Sequence, residues 1–292
     1  MPLLDSPQTP NPLHTQPLPA LHPTAIIDPT AVIEPTATVG AYCVIGPQVT
    51  IGAGCVIAPH VVIESHTILG EGTQVSSFAA LGGLPQDKGF GGETSWVHIG
   101  KRCVIREGVT VHRATGEQKT TVVGDDCMLM AYSHVAHNTV LGNNVILANN
   151  VLLAGHVQVD DGAFISGMTV VHQNVRIGRL AIISGASGTR QDIPPFAMCD
   201  GRPATLGGIN KIGLRRNGFD ATERDAILRA YHLIWFSDVS MAEALTTLET
   251  TMAEHAAVQE LVQFVRTSKR GIRRPVSRQM SAREGDDDLV MA

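Results

Sequence analysis

Counting from Ile27, every sixth residue is aliphatic, and the rhythm holds to Ile183. Of the 27 positions in this phase, 24 are Val, Ile or Leu; the exceptions are Asp87, Glu93 and Glu117. A six-residue period suits neither a helix nor an alternating strand. It predicts a solenoid in which each short strand forms one face of a prism. Three hexads make one triangular coil, so residues 18 apart should stack, and roughly nine coils fit between residues 27 and 189.

The residue after the aliphatic is often Gly, as at Gly40, Gly46, Gly52 and Gly70, and the reading assigns these glycines to left-handed corners. The three exceptions mark excursions from the prism. Leu84–Ser95, with Asp87 and three glycines, reads as a mobile glycine-rich loop, and Arg113–Thr121 as a second, polar one. Loops on a rigid scaffold are favoured places for binding residues. The pattern stops near Pro194. Asp220-Ala-Thr-Glu223 then has the form of a helix start, and Ile227, Tyr231 and Ile234 follow at helical spacing. The chain therefore divides into a Pro-rich disordered lead (1–23), a prism (24–193), a connecting segment (194–219), a small helical domain (220–269) and a charged disordered tail (270–292).

Composition narrows the chemistry. The net charge of −5 offers no basic field for nucleic acid. No stretch approaches the 18 or so apolar residues of a membrane span, and the lead lacks the build of a signal peptide. Cys43, Cys55, Cys103 and Cys127 each stand two residues before a hexad aliphatic, where small residues otherwise sit. They read as core fillers and not as a disulfide or metal framework, which fits a reducing cytoplasm.

The 18-residue rule brings distant histidines together. His137, then Gly155 beside His156, then Gln173 beside His172 should form one line over three coils, with His134 on the first coil. Two chemistries suit such a row. A neutral imidazole can act as general base towards a hydroxyl, with a nearby Gly155 N–H as oxyanion donor. Histidines could instead converge on zinc, as in a γ-carbonic-anhydrase-like β-helix, although a 134/137 spacing is a weak metal signal. Acyl transfer is the favoured reading.

At these residues a resemblance becomes specific. Met130–Asn138, Leu147–Asn150 with Leu153–His156, Gly167–Gln173 and Arg106–Arg113 resemble the UDP-N-acetylglucosamine O-acyltransferase family of lipid A biosynthesis, over about residues 21–272. The resemblance implies a mainly β chain, a left-handed parallel β-helix with a small C-terminal helical domain, assembled as a homotrimer with clefts between subunits. It implies transfer of an (R)-3-hydroxyacyl group from acyl carrier protein to the 3-hydroxyl of UDP-N-acetylglucosamine, with no metal or cofactor. His137 matches the general base and Gly155 the oxyanion donor. His134, His156, His172 and Gln173 match cleft residues, and Asp87 a loop contact to the nucleotide sugar. Asn210 and Arg216 match residues near the uridine diphosphate, and Gly185 one that leaves room for the acyl chain. Arg176, Arg179, Lys211 and Arg215 are candidates to dock an acidic carrier protein. Asn138 stands where some members have an acidic residue, Ile212 where a glutamate is common, and Asn217 where a second arginine may follow. The spacing of Lys88 from Asp87 also departs. A related N-acyltransferase would carry a uridine-binding domain before its hexads, for which a start at Ile27 leaves no room.

Overall fold

The computed structural model describes residues 20–272 and residue 275, so the expected lead and tail lie largely outside the described residues. The hexads build a left-handed parallel β-helix with three faces. Strands of mostly two residues stack into sheets of ten, nine and eight strands, called A, B and C here and parallel throughout except for the last strand of A, and the chain runs B to C to A around each coil. Hexad aliphatics point inward. Ile51, Ile105, Leu147 and Ile183 have no exposed surface, whereas Ile27 and Ile33, in the first described coil, are half-buried. The four cysteines fill the interior as expected, and each thiol donates to a carbonyl of a neighbouring corner, as from Cys43 Sγ to Ala58 O (3.1 Å).

The corner glycines are corrected. Left-handed backbone falls two residues further on, at Gln48, Gly54, His60, Asn138, Asn144 and Asn150, for example. Gly46 and Gly70 face the backbone of the next coil: a Cβ on Gly46 would overlap Glu64 O, and one on Gly70 would lie 2.5 Å from Gly100 C. Glycine there serves close stacking of coils, not left-handed geometry.

The loops change the stacking interval. The interval of 18 seen between Ile45 and Ile63 and between Val135 and Leu153 becomes 30 between Leu81 and Val111, and 24 between Val111 and Val135. Both loops leave from the corner between sheets B and C, at 84–95 and 113–119.

Beyond the last coil, a hairpin (Ala197–Asp200, Thr205–Ile209) extends sheet A, and helix α1 (Lys211–Arg216) follows. These elements fall in the segment read from sequence as a connection, because they have no hexad rhythm. Helices α2 (Ala221–Trp235), α3 (Met241–Thr251) and α4 (Ala256–Thr267) complete the chain's helical part. Asp220 and Glu223 form a reciprocal capping box at the start of α2, and Ile227, Tyr231 and Ile234 are buried. Arg179 makes a forked ion pair with Glu260 of α4 (2.7 Å) between Phe196 and Phe219, and Arg176 lies over Phe264 (4.2 Å). These two arginines, candidates to dock a carrier protein, are engaged in holding α4 against the prism.

Candidate active site

His137 and Asn138 turn the B–C corner after the strand His134–Val135. One coil on, the corner is Gly155–His156, and its His156 N–H donates to His137 O (3.0 Å). The next corner, Gln173–Asn174, is joined by Asn174 N–H to Gly155 O (3.1 Å). The expected line is present. Within it, the His137 and His156 rings meet edge to face with centroids 5.2 Å apart.

Gly155 lies against the His137 ring. A Cβ at this position would stand 2.5 Å from both Cε1 and Nε2 of His137. The Gly155 backbone is not left-handed, so the imidazole, not the chain path, excludes a side chain.

The second loop fixes the orientation of His137. Thr115 N–H donates to Asn138 Oδ1 (2.9 Å), and Asn138 Nδ2 donates to Thr115 O (2.9 Å). A backbone N–H can only donate and a carbonyl only accept, so this clamp dictates which way the amide faces. Asn138 Oδ1 lies 2.9 Å from His137 Nδ1. An amide oxygen accepts only, so Nδ1 carries a proton, and in the neutral imidazole the lone pair is then on Nε2. Asp87 of the first loop brings a carboxylate 3.9 Å from the same Nδ1. Its own Oδ1 accepts from Gly89 N–H (2.9 Å), which, with Thr115 and the two histidines, lowers its pKa and keeps it ionised.

His134 sits three residues before His137, at the start of the strand, its Nδ1 2.7 Å from Thr110 Oγ1 and its ring edge-on to His112 (5.0 Å). Burial, then His112 and His137, push its pKa down to about 4. Burial likewise lowers His112 and His156. An unfolded histidine takes up its proton near 6.5. Between that value and about 4, the unfolded chain binds more protons than the folded one, so the contribution of His134 to stability is intact above about pH 6.5 and declines as pH falls towards 4. Thermal melts from pH 7 to 4 should show this slope reduced in His134→Gln; equal slopes would remove the assignment.

Other expected residues lie apart. His172 is one coil beyond His156 on the same edge, and its Nδ1 faces Arg270 Nη2 (3.3 Å). Asn210 caps α1, accepting from Gly213 N–H and donating Nδ2–H to Leu180 O (2.8 Å each), which places it at the C–A corner. Arg216 ends the same helix. Gly185 lies at the A–B corner, where a Cβ would make only ordinary contact with Gly167 O (3.4 Å). The B–C line, Gly185 and Asn210 therefore occupy three different corners of one chain.

The sequence reading missed the place of His112 beside His134. The six residues added by the second loop shift its coil out of the 18-residue count, and only the 24-residue interval brings the two together. The orienting role of Thr115 had no sequence signal, since it acts through its backbone.

A prism of stacked hexads with a line of histidines along one edge has the build of a hexapeptide-repeat transferase, and residues 120–155 match the bacterial transferase hexapeptide (six repeats) family. Residues 192–273 match domain 2 of UDP-N-acetylglucosamine O-acyltransferase, and residues 20–83 match the GMPPB C-terminal domain. The acyl-[acyl-carrier-protein]–UDP-N-acetylglucosamine O-acyltransferase of Herminiimonas arsenicoxydans is 44% identical over 257 residues, 86% of this chain and 98% of that protein. That of Stenotrophomonas maltophilia R551-3 is 43% identical over 261 residues, 88% and 98% of the two chains. The solved UDP-N-acetylglucosamine acyltransferase of Francisella novicida superposes with a TM-score of 0.86 at 34% identity, covering 88% of this chain and 95% of its own. The Acinetobacter baumannii structure gives 0.84 at 36%, covering 88% and 100%. This chain belongs to the acyl-[acyl-carrier-protein]–UDP-N-acetylglucosamine O-acyltransferase family and is an acyltransferase.

Proposed function

We propose that the protein transfers an (R)-3-hydroxyacyl group from acyl carrier protein to the 3-hydroxyl of UDP-N-acetylglucosamine, the first step of lipid A biosynthesis, in the cytoplasm. The observation that carries the mechanism is the amide clamp on His137, which leaves Nε2 as a lone-pair base beside Gly155. His137 Nε2 removes the proton of the sugar hydroxyl as that oxygen attacks the thioester carbonyl. The negative charge of the tetrahedral intermediate falls on the carbonyl oxygen, where the Gly155 N–H donates to it. The intermediate collapses with loss of the carrier thiolate, which takes the proton back from the imidazolium. Asp87, 3.9 Å from Nδ1, supports the imidazolium through its charge, a contribution the neutral Asn138 cannot make. His134, His156, His172 and Gln173 line the cleft along the same edge.

A homotrimer is part of this reading. A cleft that uses His137, Gly185, Asn210 and Arg216 together needs residues from three corners, and only packing of one copy against another supplies them. The test offers the purified protein UDP-N-acetylglucosamine with a ladder of 3-hydroxyacyl carrier proteins and identifies products by mass spectrometry. A sugar nucleotide heavier by one 3-hydroxyacyl group is expected; transfer to no sugar nucleotide would overturn the proposal. Asn138→Ala should lower kcat between about 10- and 100-fold with little change in KM, because it frees the imidazole to rotate and change tautomer. An unchanged kcat would remove the clamp from the mechanism.

A further inference from the structure

Glu93 breaks the hexad rhythm where an aliphatic is due, and its carboxylate does not face the core. One oxygen, Oε2, accepts from Gly91 N–H of its own loop (2.8 Å). The other, Oε1, accepts from Gly116 N–H of the second loop (2.7 Å). A single carboxylate therefore clasps the two excursions. The seam continues on either side of it: Thr94 N–H donates to Glu117 Oε2 (3.2 Å), Gln118 N–H to Thr94 O (2.7 Å), and Trp96 Nε1–H to Gln118 Oε1 (3.3 Å).

Gly116 is the neighbour of Thr115, whose N–H and C=O hold the Asn138 amide, which in turn holds the Nδ1 proton of His137. A continuous path of hydrogen-bonded and covalent steps thus runs from Glu93 to the base. We propose that Glu93 is a positioning residue for the reaction: by fixing the Gly116 amide it holds the Thr115 backbone where that backbone dictates the tautomer of His137. This inference rests on the reading of His137 as the base. Bonds from an ionised acceptor to backbone N–H groups are among the stronger hydrogen bonds, and the Gly116 amide is the leading cause that lowers the pKa of Glu93 and keeps it ionised. Glutamine in its place offers one acceptor oxygen, so it can satisfy only one of the two amides.

The experiment combines kinetics with imidazole ¹⁵N spectra of the full chain. Glu93→Ala should lower kcat between about 10- and 100-fold, and Glu93→Gln should fall between wild type and Glu93→Ala. The His137 nitrogens should read as a single Nδ1–H tautomer in wild type and as a mixture in Glu93→Ala. In an Asn138→Ala background the added loss from Glu93→Ala should vanish, since the path is already cut. Equal losses in both backgrounds, or an unchanged tautomer in Glu93→Ala, would overturn the proposal, because a residue that merely steadies the first loop would act independently of Asn138. Transfer by His137→Ala in the same assay tests the base reading separately, and the tautomer spectra test this inference even where no transfer is seen.

Discussion

Replacing His137 with Ala is expected to lower acyl transfer by about 10²- to 10⁴-fold, the usual worth of a positioned general base. The protein should keep its fold. His137 is a corner residue whose side chain lies outside the aliphatic interior, and the bond from His156 N–H to its carbonyl survives any substitution. His137→Gln separates the two roles of the imidazole: the amide can still reach Asn138, but it cannot accept a proton at neutral pH. Both variants should therefore lose rate to a similar degree, with melting temperatures close to wild type. Kinetics and thermal melts on the same preparations check this. A His137→Gln enzyme with near wild-type kcat would show that the imidazole is there for shape alone.

Gly155→Ala is expected to cost about 100-fold in kcat, the scale of loss when a reacting group is displaced by about 1 Å. The added methyl would stand 2.5 Å from Cε1 and Nε2 of His137, so the ring must swing away and draw Nδ1 off Asn138 Oδ1. The backbone N–H proposed as oxyanion donor is unchanged by this substitution. The backbone conformation does not require glycine, so the loss of stability should be limited to the displaced ring and its broken bond, about 1 kcal/mol. A protein that stays folded yet is nearly inactive is the expected result. In a His137→Ala background the same change should add nothing to the loss. A large further drop there would mean that Gly155 acts on the substrate and not through the ring.

Much of this arrangement was legible in the chain. The hexads define the prism, and the 18-residue interval aligns His137, Gly155 and Gln173 because no loop lies between their coils. Where loops intervene, the count fails: His112 joins His134 only through an interval of 24. Hexad phase also could not distinguish a glycine needed for left-handed backbone from one needed for close stacking, so Gly46 and Gly70 were assigned to the wrong constraint. The capping of α1 by Asn210 and its bond to Leu180 O arise from a hairpin with no sequence rhythm, so they were not legible in the chain. Charge alone could not reveal that Arg176 and Arg179 are held by α4, since that depends on how the helical part docks. The loop contacts that orient His137 run mainly through backbone atoms, which composition does not encode.

We propose that a metal-independent histidine base at position 137 performs acyl transfer. The decisive measurement follows labelled 3-hydroxyacyl transfer from carrier protein to UDP-N-acetylglucosamine, with wild type and His137→Ala, before and after exhaustive chelation. Transfer should be unaffected by the chelator in wild type and nearly absent in His137→Ala. Activity abolished by chelation and restored by stoichiometric zinc, or transfer undiminished in His137→Ala, would contradict it.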